Sequence, residues 1–100
     1  MDIKEMLDIL GEEAQKLLTD PNYGSKINEP KGYISVDSMG IIFRFDWYSY
    51  DMSGKKKLMD VRHAISWMEY DTYKGNLKAV VIRSISDMQY KIRKFYSKPT

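Results

Sequence analysis

The chain has no cysteine, one histidine and three prolines in 100 residues. Without cysteine, disulfides, zinc–thiolate sites and thiol catalysis are excluded. A single histidine leaves only carboxylates to complete a metal site, and neither EF-hand spacing nor His-Glu-x-x-His occurs, so no metal is expected. The six glycines are scattered and form neither of the two phosphate-cradling glycine motifs, so no cofactor is expected. No stretch approaches the ~18 apolar residues of a membrane span. The start, Met1-Asp2-Ile3-Lys4-Glu5, lacks the basic-then-apolar order of a secretory leader. A cytoplasmic protein without membrane attachment is the expectation.

What is present is 43% hydrophobic residues with 13% aromatics, too apolar for a disordered chain. The length suits one domain over residues 1–100, with a core that needs no staples. The net charge is +2 but uneven: residues 1–30 carry three lysines against seven acids, and residues 31–100 carry thirteen bases against seven acids. Either the basic part faces an anion, or the two parts face each other. Residues with AT-rich codons (Phe, Tyr, Met, Ile, Asn, Lys) total 43, against 16 with GC-rich codons (Gly, Ala, Arg, Pro), which suggests a low-GC genome, bacterial or viral.

Residues 2–19 read as an amphipathic helix through Ile3, Met6, Leu7, Leu10, Ala14, Leu17 and Leu18, with Asp2 and Glu5 placed as a capping pair. Pro21 stops it. Gly11 inside it either permits close packing or is tolerated. Residues 20–32 hold Pro21, Gly24, Pro30 and Gly32 and read as a loop, with Tyr23 and Lys26 as its candidate working residues. Strands follow at 33–37, 41–50 and 57–69. In the second, Ile41, Phe43, Phe45 and Trp47 alternate with Ile42, Arg44, Asp46, Tyr48 and Tyr50. In the third, Met59, Val61, His63, Ile65 and Trp67 alternate with Leu58, Asp60, Arg62, Ala64, Ser66 and Met68. A helix over 58–68 is the rival; the strand explains more positions and the hairpin. Leu77, Val80, Val81, Ile85, Met88, Ile92, Phe95 and Tyr96 then predict one long helix over 76–96, capped by Asn76. Its rival is a fourth strand at 77–84, favoured by Val80-Val81-Ile82.

Register follows from parity. Both apolar faces must point the same way, so paired residue numbers have an even sum. A sum of 106 sets Asp46 against Asp60 and Arg44 against Arg62. A sum of 108 sets Asp46 against Arg62 and Tyr48 against Asp60. Cross-strand charge pairs are worth roughly 0.2–1 kcal/mol, so 108 is the expectation. The architecture is then α+β: an N-terminal helix, an antiparallel meander of three (alternatively four) strands, and a C-terminal helix, both helices on one face. An acidic first helix beside a basic last helix would account for the charge split.

His63 is the sole classical acid–base residue, and without a recognisable nucleophile and orienting acid it reads as a core-facing ring beside Phe45. No catalytic residue is assigned and no enzyme is expected. The informative feature is the second face of the sheet, where Tyr33, Arg44, Tyr48, Tyr50 and Arg62 are candidate partner-binding residues. Tyrosine and arginine are enriched in protein-interface hot spots. The expected function is that of a small non-catalytic regulatory protein acting by protein contact, such as a viral or mobile-element inhibitor of a host complex. A homo-oligomer is compatible. The alternative is nucleic-acid binding, with bases stacked on the tyrosines and phosphates met by Lys55, Lys56, Lys57, Lys91, Arg93, Lys94 and Lys98. The helix–strand–strand–strand–helix order resembles that of double-stranded-RNA-binding domains. That family opens its second helix with a basic run, where this chain has Asn76-Leu77-Lys78-Ala79-Val80, and no residue role carries over.

Overall fold

A computed structural model describes residues 2–97. Its elements run α1 (Ile3–Lys16), β1 (Asn28–Val36), β2 (Gly40–Tyr50), β3 (Lys56–Ser66), α2 (Trp67–Thr72) and α3 (Leu77–Tyr96). The strands form an antiparallel meander in the order β1-β2-β3. Both long helices pack on one face of it, so the α+β architecture expected from the sequence is the one observed.

Each helix forms where apolar periodicity and a polar cap coincide. Asp2 accepts from the Glu5 amide at 2.9 Å and opens α1, which buries Met6, Leu10 and Ala14 along one stripe. Short 3-10 turns at Leu17–Thr19 and Gly24–Lys26 carry the chain to the sheet. Asn76 caps α3 by accepting from the Ala79 amide, and α3 buries Val80, Val81, Ser84, Ile85, Met88 and Ile92. That spacing overrides the β-branched Val80-Val81-Ile82 run, so the fourth strand does not form. The stripe is narrower than expected, because Phe95 is exposed. Between the two helices, Gln89 Nε2 donates to Glu13 at 3.2 Å, and no ion pair joins them among the described residues. The expected charge pairing of α1 with α3 is therefore not how they meet.

Three segments depart from expectation. Residues 20–32 are not one loop: β1 begins at Asn28 and runs through Pro30. Proline is accepted because β1 is an edge strand, and the pairing slips between Asn28 and Lys31, where Glu29 takes a left-handed φ of 52°. Tyr23 is buried, 4% exposed, and stacks on Tyr96 with centroids 5.6 Å apart. It is core, with Lys26 over the same Tyr96 ring at 5.5 Å. Finally, β3 stops at Ser66, three residues short of the expected end. Ser66 Oγ accepts from the Glu69 amide at 3.1 Å and starts α2.

The register of β2 and β3 is the sum of 106, with Asp46 opposite Asp60 and Arg44 opposite Arg62. The turn decides it. Asp51 N donates to Lys55 O at 3.0 Å, closing a three-residue loop in which Gly54 has φ 83°. Asp51 Oδ1 holds the loop by accepting from the amides of Ser53 and Lys55 and from the Ser53 hydroxyl. Those bonds also hold the Asp51 carboxyl below its usual value. The like charges are relieved along each strand: Arg44 sits 2.7 Å from Asp46, and Arg62 sits 2.8 Å from Asp60.

Candidate functional site

Strand pleating sends the odd-numbered side chains of β2 and β3 into the core and the even-numbered ones to the opposite face. Ile41, Phe43, Phe45, Trp47 and Ile65 are buried under the helices, whereas Arg44, Tyr48, Leu58, Asp60, Arg62 and Ala64 lie on the other side with Tyr33 and Lys31 of β1. The register lines that outer face into rows across the strands. Tyr33, Arg44 and Arg62 form one row; Lys31, Asp46 and Asp60 form the next. Beyond the first lie Ser35, Ile42 and Ala64, and beyond the second lie Tyr48 and Leu58.

Local contacts fix these side chains. The Arg44 guanidinium lies over the Tyr33 ring at 4.5 Å, and the Lys56 ammonium over the Tyr48 ring at 4.1 Å. Lys56 also meets Glu29 at 3.4 Å. Arg62 Nε donates to Asp60 Oδ2. The Arg44–Asp46 pair is close by distance, yet Arg44 Nε and Asp46 Oδ1 complete no aligned hydrogen bond and have no other protein partner. Both atoms are closed to solvent, and what the pair offers to an incoming surface is the remaining edge of its guanidinium and carboxylate. Tyr50 at 56% and Leu58 at 62% are the most exposed hydrophobic side chains of the face, and Tyr33 is 38% exposed. A groove of about 410 Å³ runs beside them, lined by Lys31, Tyr33, Asp46, Tyr48, Lys56 and Leu58 among others.

The five residues proposed for partner binding, Tyr33, Arg44, Tyr48, Tyr50 and Arg62, thus share one face. The parity argument that identified that face did not identify Asp46 and Asp60 as working members. They pair with the arginines along their own strands, Asp46 with Arg44 and Asp60 with Arg62. The cations proposed for nucleic acid do not converge. Lys55, Lys56 and Lys57 sit at the hairpin between β2 and β3, with Lys56 already engaged. Lys91, Arg93 and Lys94 belong to α3, on the opposite side of the sheet. Lys91 bonds Asp87 at 2.8 Å and the Arg62 carbonyl at 2.9 Å, and Lys94 rests over the Tyr90 ring. Lys98 lies outside the described residues.

His63 faces the helices opposite Phe43, where the other register places it opposite Phe45. Its Nδ1 lies 2.7 Å from Asp87 Oδ2, tying β3 to α3. The Lys91 ammonium and then the His63 ring hold the Asp87 carboxyl below its ordinary value. Asp46 and Asp60 do come opposite one another, but among the described residues no group of three or more potential ligands could hold a metal ion. No helix among them is long and apolar enough to cross a membrane. Comparison with protein-family models, with curated proteins and with solved structures finds no match for this chain.

Proposed function

We propose that this chain is a small regulatory protein that acts without catalysis, by presenting the outer face of its sheet to a protein partner. The supporting observation is the alternation of arginine and aspartate rows beside exposed Tyr50 and Leu58 on a face that no long helix covers. A merely solvated face is polar; this one combines aromatic and aliphatic anchors with directional charges. Two carboxylates in the middle of the face oppose a polyanion and suit a protein surface of mixed charge.

Photo-cross-linking tests this. A cross-linking side chain at Leu58 on the outer face is compared with one at Tyr90, exposed on α3. The expected result is protein adducts from position 58 well above those from position 90. Equal yields, or adducts to nucleic acid at 58 together with steeply salt-dependent binding of labelled oligonucleotides, would overturn the proposal.

A further inference from the structure

We infer that the occupant of the outer sheet face is a second copy of this chain, related by a two-fold axis lying across the strands between the arginine row and the aspartate row. This rests on the protein-contact reading above and names its partner. A half-turn about such an axis reverses position along the strands and keeps position across them. Arg44 then lies over Asp46 of the second copy, and Arg62 over its Asp60. Tyr33 lies over Lys31 of the second copy, a cation–aromatic contact. Ile42 meets Tyr48, and Ala64 meets Leu58, apolar against apolar. Every row finds a complement, and the symmetry makes each contact occur twice.

No other simple placement does this. An axis along the strands lays Arg44 over Arg44. An axis on the arginine row gives the same clash, and one on the aspartate row stacks Asp46 on Asp46. Like-charge contacts of this kind are strongly unfavourable when water is excluded. The Arg44–Asp46 ion pair, 2.7 Å apart, sits at the centre of the favoured arrangement, where the same pair of the opposite copy completes an alternating ring of four charges.

The size of the face sets the strength. Eleven-residue strands rise about 37 Å, and three strands spaced by about 4.8 Å span about 14 Å. That is roughly 500 Å² per copy and about 1,000 Å² in all, at the lower limit of specific interfaces. The dimer is therefore weak and concentration-dependent. Two such sheets would pack about 10 Å apart and turned by about 30° through their twist.

Sedimentation of the purified chain from about 1 to about 500 μM should show mass rising from monomer to dimer. Arg62→Glu should set a second carboxylate over Asp60 of the opposite copy and raise the dissociation constant by about tenfold or more; Asp60→Lys should do the same by setting an ammonium over the opposite Arg62. An equal mixture of the two variants should recover the wild-type affinity as a heterodimer. The rescue can only come from between chains, because each variant still carries like charges at 60 and 62 within itself. Should a charge reversal unfold the chain, cysteines read the same geometry. The sequence has none, so Leu58→Cys mixed with Ala64→Cys should be joined by a short bismaleimide, whose reach suits sheets about 10 Å apart, into the mixed pair with little of either homodimer. A wild-type chain that stays monomeric, a mixture that fails to recover, or cross-linked homodimers as abundant as the mixed pair would each overturn the inference. Position-58 adducts to a different protein would then leave the protein-contact reading standing without the second copy.

Discussion

Two glycines make the same substitution run in opposite directions. Gly32 of β1 lies on the core face, opposite Phe45, directly beneath α1. A Cβ there would lie 2.7 Å from Leu10 Cβ and 3.2 Å from the Leu10 carbonyl carbon. Leu10 is fully buried and part of that contact is backbone, so no rotamer change relieves it and α1 must move. Forced overpacking of this kind costs about 1–3 kcal/mol. Gly11 is the next residue along α1 from Leu10, yet an added Cβ meets nothing within 4 Å. At a helical site with free space, Gly→Ala stabilises by about 0.4–1 kcal/mol, chiefly by restricting the unfolded chain. For a chain of this size one kcal/mol moves Tm by about 4–8 °C. Gly32→Ala should therefore lower Tm by about 4 °C or more, and Gly11→Ala should raise it by about 2–8 °C. Thermal unfolding followed by far-UV circular dichroism measures both. A Gly32→Ala chain as stable as wild type would refute the close seating of α1 on β1, and a destabilised Gly11→Ala chain would refute the free space beside α1.

Trp47 Nε1 donates to the Tyr96 hydroxyl at 2.8 Å in a nearly closed site. Tyr96→Phe should strand that donor and cost about 1–3 kcal/mol in urea unfolding; an unchanged midpoint would show that the bond contributes nothing. Asp87 gives a pH test. Its carboxyl titrates below 3.8 when folded, because of Lys91 and His63, and near 3.8 when unfolded. Its contribution is therefore complete above 3.8 and disappears as pH falls through the lower, folded value. Asp87→Asn should cost about 1 kcal/mol near neutrality and flatten the acid limb of the stability curve, to which Asp51 also contributes. Parallel curves for the two chains would sink the assignment.

Periodicity is the readable part of the sequence. Alternation over 41–50 and the three-to-four spacing over 77–96 are direct images of burial, so β2 and α3 emerge with nearly correct ends. The register is not readable from charge pairing, because arginine and aspartate two residues apart on one strand can satisfy each other. The loop closed by Asp51 and Gly54 outweighs the cross-strand terms. The start of β1 is hidden by Pro30 and by the left-handed Glu29, which look like loop and are in fact an edge-strand bulge. The Ser66-x-x-Glu69 cap is visible but lies inside an alternation running on through Trp67. Tyr23 cannot be read as core, since its partner Tyr96 stands at the other end of the chain. The outer face is legible as a set of residues; its ordering into alternating charged rows is not, because that ordering depends on the register.

The placement of α3 also bears on how the chain is made. Phe43, Phe45, Trp47 and Ile65 are roofed partly by Val80, Val81, Ile85, Met88 and Ile92, which are synthesised after all three strands. A nascent chain with its hairpins already out of the ribosome therefore holds an aromatic sheet face with half its cover missing. It must wait for residues 77–96 before the fold can close. During that interval the inner face, the better hydrophobic surface of the two, is the one exposed to chaperones and to neighbouring nascent chains. Ribosome stalling before residue 77 should leave the chain protease-sensitive even though α1 and all three strands have been made.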